Sequence, residues 1–260
     1  MILLETERLG ITFGGLTALW DVDIQVKTEE TIGLIGPNGS GKSTFFNLIT
    51  GIYIPTKGRI LFNGRNLVGL PPHKIAENGI SRTFQNSRLF SGLSVLDNVL
   101  VGMNLLQDTN IFDSVFRRGR VRDEISYSVD QALSLIEYFS VDLVKQKYQR
   151  VKDLPHADKR RVEICRAIAS RPRLLLLDEP SAGMNPEETS ELMEDLAKVR
   201  EKEKMMSIIL IEHDMRVIKE VAQRVVVLNY GKKIYEGTFE EASQSKEVKE
   251  AYLGSGDRGA

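Results

Sequence analysis

At 260 residues, with 42% hydrophobic and 27% charged side chains, the chain can bury a real core and has the balance of an ordinary soluble globular protein. Its formal net charge of -1 excludes a global attraction to nucleic acid or acidic lipid, and its single cysteine, Cys165, excludes an internal disulfide. No apolar run reaches the roughly 18 residues of a membrane span, and Met1-Ile2-Leu3-Leu4-Glu5 has neither the basic region nor the cleavage site of a signal peptide.

The first hundred residues read as β-rich. Ala18 to Val26 alternates apolar and polar residues, and Thr31-Ile32-Gly33-Leu34-Ile35 reads as a buried strand. Directly after it, Gly36-Pro37-Asn38-Gly39-Ser40-Gly41-Lys42-Ser43 fits G-x-x-x-x-G-K-[ST] at every fixed position, and Ser43-Thr44-Phe45-Phe46-Asn47-Leu48-Ile49 reads as the helix leading out. Strand, glycine-rich loop and helix together make a P-loop, which handles a nucleoside triphosphate. Glycines let backbone N–H groups close around phosphate oxygens, and the helix N-terminus adds its dipole and unpaired donors. Lys42 is expected to reach the β- and γ-phosphates, with the Ser43 hydroxyl on Mg²⁺ and Thr44 completing the nucleotide contacts.

Further along, Gly58-Arg59-Ile60-Leu61-Phe62 is a short strand ending at an Asn63-Gly64 turn. From about Val95 to Ile168 the pattern turns helical, and Ile125, Val129, Leu133 and Ile136 form an apolar stripe expected to face the core. The basic run Arg117-Arg118-Gly119-Arg120-Val121-Arg122 reads as a solvated loop, and Cys165 as a small buried residue. Arg173-Leu174-Leu175-Leu176-Leu177-Asp178 and Ser207-Ile208-Ile209-Leu210-Ile211-Glu212 are continuous apolar runs, as parallel strands covered on both faces require. Pro186 to Arg200 lies between them as a helix with proline in its first turn. The expected fold is α/β: a P-loop core over residues 1–253, with an N-terminal antiparallel β-subdomain, a helical insertion at about 95–170, and a flexible tail at 254–260.

The second phosphate-handling element is the strand that ends in Asp178-Glu179. A carboxylate at that end suits Mg²⁺, directly or through water, and a second one beside it suits orienting and deprotonating a water nucleophile. With Glu212-His213-Asp214 after the later strand, these motifs resemble the ATP-binding subunit of an ABC transporter over nearly the whole chain, about Thr6 to Leu253. The resemblance implies that Phe13 stacks on adenine. It implies that Gln85, in Arg82-Thr83-Phe84-Gln85, senses Mg²⁺ and the attacking water while coupling to a membrane subunit. His213 would contact the γ-phosphate, and Ser181-Ala182-Gly183-Met184-Asn185 would touch the opposite subunit.

One element departs from the family. Where the signature Leu-Ser-Gly-Gly-Gln is expected, the chain has Leu154-Pro155-His156-Ala157-Asp158, followed by Lys159-Arg160-Arg161. It lacks the serine hydroxyl and both glycines that present donors to the partner's γ-phosphate. Pro155 has no N–H, Ala157 adds a β-carbon, and Asp158 adds a carboxylate that Arg160 and Arg161 are placed to offset. Members of the family work as head-to-tail dimers, each ATP lying between one P-loop and the other subunit's signature. A weakened signature beside a complete P-loop, Asp178, Glu179 and His213 therefore predicts a heterodimer with a second ATPase rather than a homodimer. The open alternative is that His156 and the helix N-terminus supply enough donors.

Phe13-Gly14-Gly15-Leu16, Gly79-Ile80-Ser81-Arg82-Thr83-Phe84-Gln85, Arg88-Leu89-Phe90, Ile211-Glu212-His213-Asp214-Met215 and Ala251-Tyr252-Leu253-Gly254 resemble the branch serving branched-chain amino acid uptake. That branch implies ATP and Mg²⁺ as cofactors, separate permease subunits, an external binding protein, no nucleic acid, and a place on the inner face of the plasma membrane. The permease would dock beside Gln85, where Phe84, Leu89, Phe90, Leu93 and Val95 are candidates to line a groove. Urea or amide uptake, lipopolysaccharide export and a soluble non-transport ATPase are the alternatives.

Overall fold

A computed structural model describes residues 1–85, 88–106, 118–202 and 206–253. The tail at 254–260 and Arg117 of the basic run lie outside the described residues. Two compact units divide the chain, the first built from residues 1–82, 173–179 and the C-terminal part, the second from 83–172 and the stretch after Pro180.

The first unit opens with the strands β1 (Ile2–Phe13), β2 (Leu16–Lys27) and β3 (Thr31–Ile35), followed by the helix α1 (Lys42–Ile49). Next come β4 (Lys57–Phe62), β5 (Arg65–Asn66), the helix α2 (Pro72–Glu77) and β6 (Ile80–Arg82). The chain then leaves for the second unit, whose helices are α3 (Val95–Gly102), α4 (Arg118–Phe139), α5 (Val141–Lys145), α6 (His156–Ala169) and α7 (Pro186–Lys202). It returns to the first unit for β7 (Leu174–Asp178), ahead of α7, and again for β8 (Ser207–Ile211), α8 (Met215–Val221), β9 (Arg224–Asn229) and β10 (Lys232–Gly237). The helices α9 (Phe239–Gln244) and α10 (Lys246–Leu253) close the described chain.

Two sheets make up the first unit: an antiparallel one in the order β2-β1-β4-β5, and a six-stranded one in the order β10-β9-β3-β8-β7-β6. In the second sheet the strands from β9 to β6 run parallel, and β10 adds an antiparallel edge. Every position of β3, β7 and β8 is buried, which is why these strands are continuous apolar runs rather than alternating ones. β2 faces solvent on one side and keeps the alternation seen in its sequence. On α1, Phe45, Phe46, Leu48 and Ile49 are fully or almost fully buried. Each such side chain contributes about 1.5–3 kcal/mol, so the P-loop is anchored by packing at both ends.

Charge pairing also holds the first unit. Burial works against ionisation of Glu30, but hydrogen bonds from Arg224 and from the Lys27 N–H hold its carboxyl below the ordinary glutamate value. Arg224 Nε lies 2.7 Å from Glu30 Oε1, and Lys27 N 2.7 Å from Oε2. A depressed folded value stabilises the protein above the unfolded value, and that stabilisation is lost as pH falls through the folded one. Glu30→Gln is therefore expected to cost about 1–2 kcal/mol near neutral pH. In urea unfolding the gap to wild type should close below about pH 4.

In the second unit, α3 begins with a capping box between Ser94 and Asp97 and crosses α6 at close range. A Cβ on Gly102 would lie 2.1 Å from the Arg166 carbonyl oxygen, so only glycine fits that crossing. Cys165 is fully buried on α6, and burial pushes its thiol well above the usual range. The expected stripe on α4 is only partly core. Ile136 is buried but Ile125 is 52% exposed, and the inward positions are Ser128, Ala132, Ile136 and Phe139. Periodicity finds residues that share a face; it does not say how far along the helix a neighbour covers that face. Arg118 to Arg122 forms the first turns of α4 rather than a loop. Of the expected groove residues Val95 is buried, whereas Phe90 and Leu93 are exposed. Among the described residues, no helix is long and apolar enough to cross a membrane.

Candidate nucleotide site

The parallel strands of the first unit bring their carboxyl ends together, the place where open α/β sheets bind ligands. β3 delivers the loop Gly36 to Gly41, and α1 begins at Lys42, one residue earlier than its sequence pattern indicates. The loop is tight because two glycines permit it. Gly36 and Gly41 have φ of 147° and 109°; a Cβ on the first would lie 2.1 Å from the Leu228 carbonyl oxygen, and on the second 2.6 Å from Leu19. Gly41 has no side chain with which to cap α1, so the first-turn N–H groups remain for a ligand. Ser40 Oγ is buried and has no hydrogen-bond partner among the described residues. A cradle with no room for a β-carbon at Gly36 or Gly41, holding an orphaned hydroxyl at a helix N-terminus, fits a phosphate chain.

Lys42 is 7% exposed, and its Nζ donates to the carbonyl oxygens of Gly36 at 2.7 Å and Pro37 at 3.1 Å. Burial holds its pKa below the ordinary lysine value, opposed by the nearby carboxylates of Glu179 and Asp178. Next in the loop, Asn38 and Ser43 are exposed and Thr44 is half-buried.

Asp178 ends β7 at 4% exposure. Its Oδ2 accepts from Arg82 Nη2 at 2.7 Å, both side chains being buried, and Arg82 Nη1 donates to Asn47 Oδ1 at 2.7 Å. The guanidinium also lies over the Phe46 ring, 5.3 Å from its centre. Arg82 thus ties the carboxylate at the end of β7 to α1. Sequence reasoning used Arg82 only to mark the glutamine motif and missed this role. The available signal was an arginine closing one short strand and an aspartate closing another, but their adjacency depends on sheet order.

Glu179 has a left-handed φ of 49°, and its N–H donates to the Ile211 carbonyl at 2.9 Å. Its Oε1 lies 2.9 Å from His213 Nε2. The start of α8 is capped by Asp214, whose side chain accepts from the Arg216 N–H. Glu179 is 15% exposed and His213 49%, so the pair joins the buried strand ends to solvent. Phe13 closes β1 with an exposed ring, packed edge-to-face with Tyr53 at 5.1 Å, an aromatic neighbour that sequence reasoning passed over. The first unit therefore gathers a lysine, a buried aspartate, a glutamate and a histidine beside the Gly36–Gly41 loop.

The remaining candidates belong to the second unit. Gln85 is exposed. Leu154 is buried, Pro155 is the uncapped N-cap of α6, His156 is exposed, and Ala157 turns its methyl inward at 6% exposure. Asp158 pairs with Arg161 Nη1 at 3.3 Å. Burial works against the charge of Arg161, but its hydrogen bond to Glu191, with the fields of Asp195 and Asp158, raises its pKa above the ordinary value. Arg160 does not join that cluster; its guanidinium turns to the backbone of Phe84 and Gln85. Of the two arginines expected to offset Asp158, one does so.

Residues 19–182 match the ABC transporter family. The chain is 39% identical over 252 residues to the high-affinity branched-chain amino acid transport ATP-binding protein BraF of Pseudomonas aeruginosa, covering 97% of this chain and 98% of the relative. It is equally similar, with the same coverage, to the protein of that description named LivG in Escherichia coli. Among solved structures, the ADP conformation of MJ1267, an ATP-binding cassette of an ABC transporter, superposes with a TM-score of 0.82 at 27% identity, covering 98% of this chain and 99% of that one. The cradle, the carboxylates and these similarities agree: the chain belongs to the ABC transporter family, as a cassette that binds nucleotide and couples ATP hydrolysis to transport.

Proposed function

We propose that this chain is the ATP-hydrolysing subunit of an importer for branched-chain or related amino acids. It would work from the cytoplasmic face of the membrane with separate permease subunits, an external binding protein and a second ATP-binding subunit. The observation that carries the cargo class is the similarity to BraF and LivG along nearly the full length of both chains.

The geometry supports specific tasks for the residues. Phe13 offers its exposed ring to adenine. The Gly36–Gly41 backbone, the Ser40 hydroxyl and the N-terminus of α1 bind the phosphates, with the Lys42 ammonium at the β–γ end. Ser43 and Asp178 would hold Mg²⁺, which would supply positive charge to offset the phosphates; Gln85 is assigned to it by the family resemblance alone. Arg82 keeps Asp178 aimed, its guanidinium donating to the buried carboxylate at 2.7 Å. Glu179 accepts the proton of the attacking water, and His213, bonded to Glu179, orients it and stabilises charge on the γ-phosphate.

The signature loop supports an asymmetric pair. Pro155 has no N–H, the Ala157 methyl is packed inward, and no serine hydroxyl is present, so this chain offers few donors to a nucleotide held by a partner. A heterodimer places a complete signature from the second subunit against this chain's complete P-loop.

Deleting the chain from its host should abolish high-affinity leucine uptake, measured with radiolabelled leucine at micromolar concentration. The wild-type chain should restore that uptake and Glu179→Gln should not. Undiminished uptake in the deletion would overturn the cargo assignment.

A further inference from the structure

Arg160 and Glu163 stand one turn apart on α6, and both are buried, their side chains 6% and 2% exposed. Their charged ends meet the backbone of Phe84 and Gln85, which lie in no helix or strand. Arg160 Nη1 donates to the Phe84 carbonyl at 3.0 Å, and Nη2 to the Gln85 carbonyl at 2.6 Å. Glu163 Oε2 accepts from Arg160 Nη1 at 3.1 Å, while Oε1 accepts the Phe84 N–H at 3.3 Å. The Phe84 backbone is thus held at both its N–H and its C=O, and Gln85 at its C=O. Arg161, the next residue, turns instead to Asp158, Glu191 and Asp195.

An ion pair this deeply buried is expensive to desolvate, and apolar side chains of similar volume would pack α6 at least as well. Apolar side chains cannot bind the peptide groups of Phe84 and Gln85. The pair is therefore explained by what it holds rather than by packing alone.

We propose that Arg160 and Glu163 are positioning residues that fix the backbone of Gln85 to the helix bearing the signature loop, so that both move as one piece when the transporter closes. This rests on the transport reading above, in which Gln85 serves this chain's own nucleotide and Pro155–Asp158 faces the partner's. The clamp makes those two events a single displacement, so a change felt at one nucleotide is passed to the other.

The test uses the assembled transporter in proteoliposomes, with this chain carrying Arg160→Met and Glu163→Met together. Replacing both partners avoids leaving one charge buried alone, so the variant should fold with an unfolding temperature close to wild type. Its affinity for a fluorescent ATP analogue should stay within about twofold, because the Lys42 cradle is untouched. Amide hydrogen exchange across 83–85 should accelerate, and the stimulation of ATP hydrolysis by leucine-loaded binding protein should fall about five- to tenfold relative to the basal rate. Arg160→Lys, which keeps the charge but loses the planar fork, should fall between. Unchanged exchange, unchanged stimulation, or equal loss of basal and stimulated rates would overturn the clamp. If the wild-type assembly itself shows no stimulation, the transport reading fails instead, and the exchange rates at 83–85 still decide whether the clamp exists.

Discussion

Glu179→Gln should bind ATP with wild-type affinity and hydrolyse it about a thousandfold more slowly. The substitution preserves shape and leaves an oxygen to meet His213 Nε2, 2.9 Å away in the wild type, so the local geometry has little reason to change. It removes the group able to take a proton from water. Lys42, Ser40 and the start of α1, proposed to carry the phosphate contacts, are unaffected. Single-turnover hydrolysis beside equilibrium binding of a fluorescent ATP analogue separates the two effects. A rate within about tenfold of wild type would mean that Glu179 is not the base.

Lys42→Met should act on the other term, weakening ATP affinity by about one to two orders of magnitude. The ammonium is 7% exposed and held between the Gly36 and Pro37 carbonyls, in a place where burial already disfavours its charge. An ammonium kept there against its desolvation cost is paired with the Asp178 and Glu179 field, and a polyphosphate would supply far more opposing charge. Methionine fills a similar volume, so the fold should be less affected than binding. Calorimetric titration with a non-hydrolysable analogue reads the affinity, and a change below about threefold would contradict the role.

The sequence and the structure agree where local chemistry suffices. The glycine spacing of residues 36–41 announces the phosphate cradle, and the unbroken apolar runs of β7 and β8 announce strands covered on both faces. The acid at the end of β7 follows from the same reasoning. What was not legible depends on which distant segments become neighbours. Arg82 meets Asp178 because β6 and β7 pair in register, Arg82 opposite Leu176, though most of the second unit separates them in sequence. No periodicity within either strand contains that pairing. The separate tasks of Arg160 and Arg161 were hidden for the same reason: adjacent residues on a helix point about 100° apart, and each takes the partner its own face provides. Ile125 shows the converse, a residue with the right spacing on a part of α4 left exposed.

A complete cradle and a weakened signature in one chain are proposed to call for an unlike partner. Light scattering on purified Glu179→Gln protein with ATP and Mg²⁺ tests this proposal most directly, because blocked hydrolysis should trap any closed dimer. The chain alone should remain a monomer, and adding the second ATP-binding subunit of the same transporter should give a one-to-one complex. A stable, ATP-dependent homodimer would contradict it, and would mean that His156 and the N-terminus of α6 supply the donors that the missing serine and glycines do not.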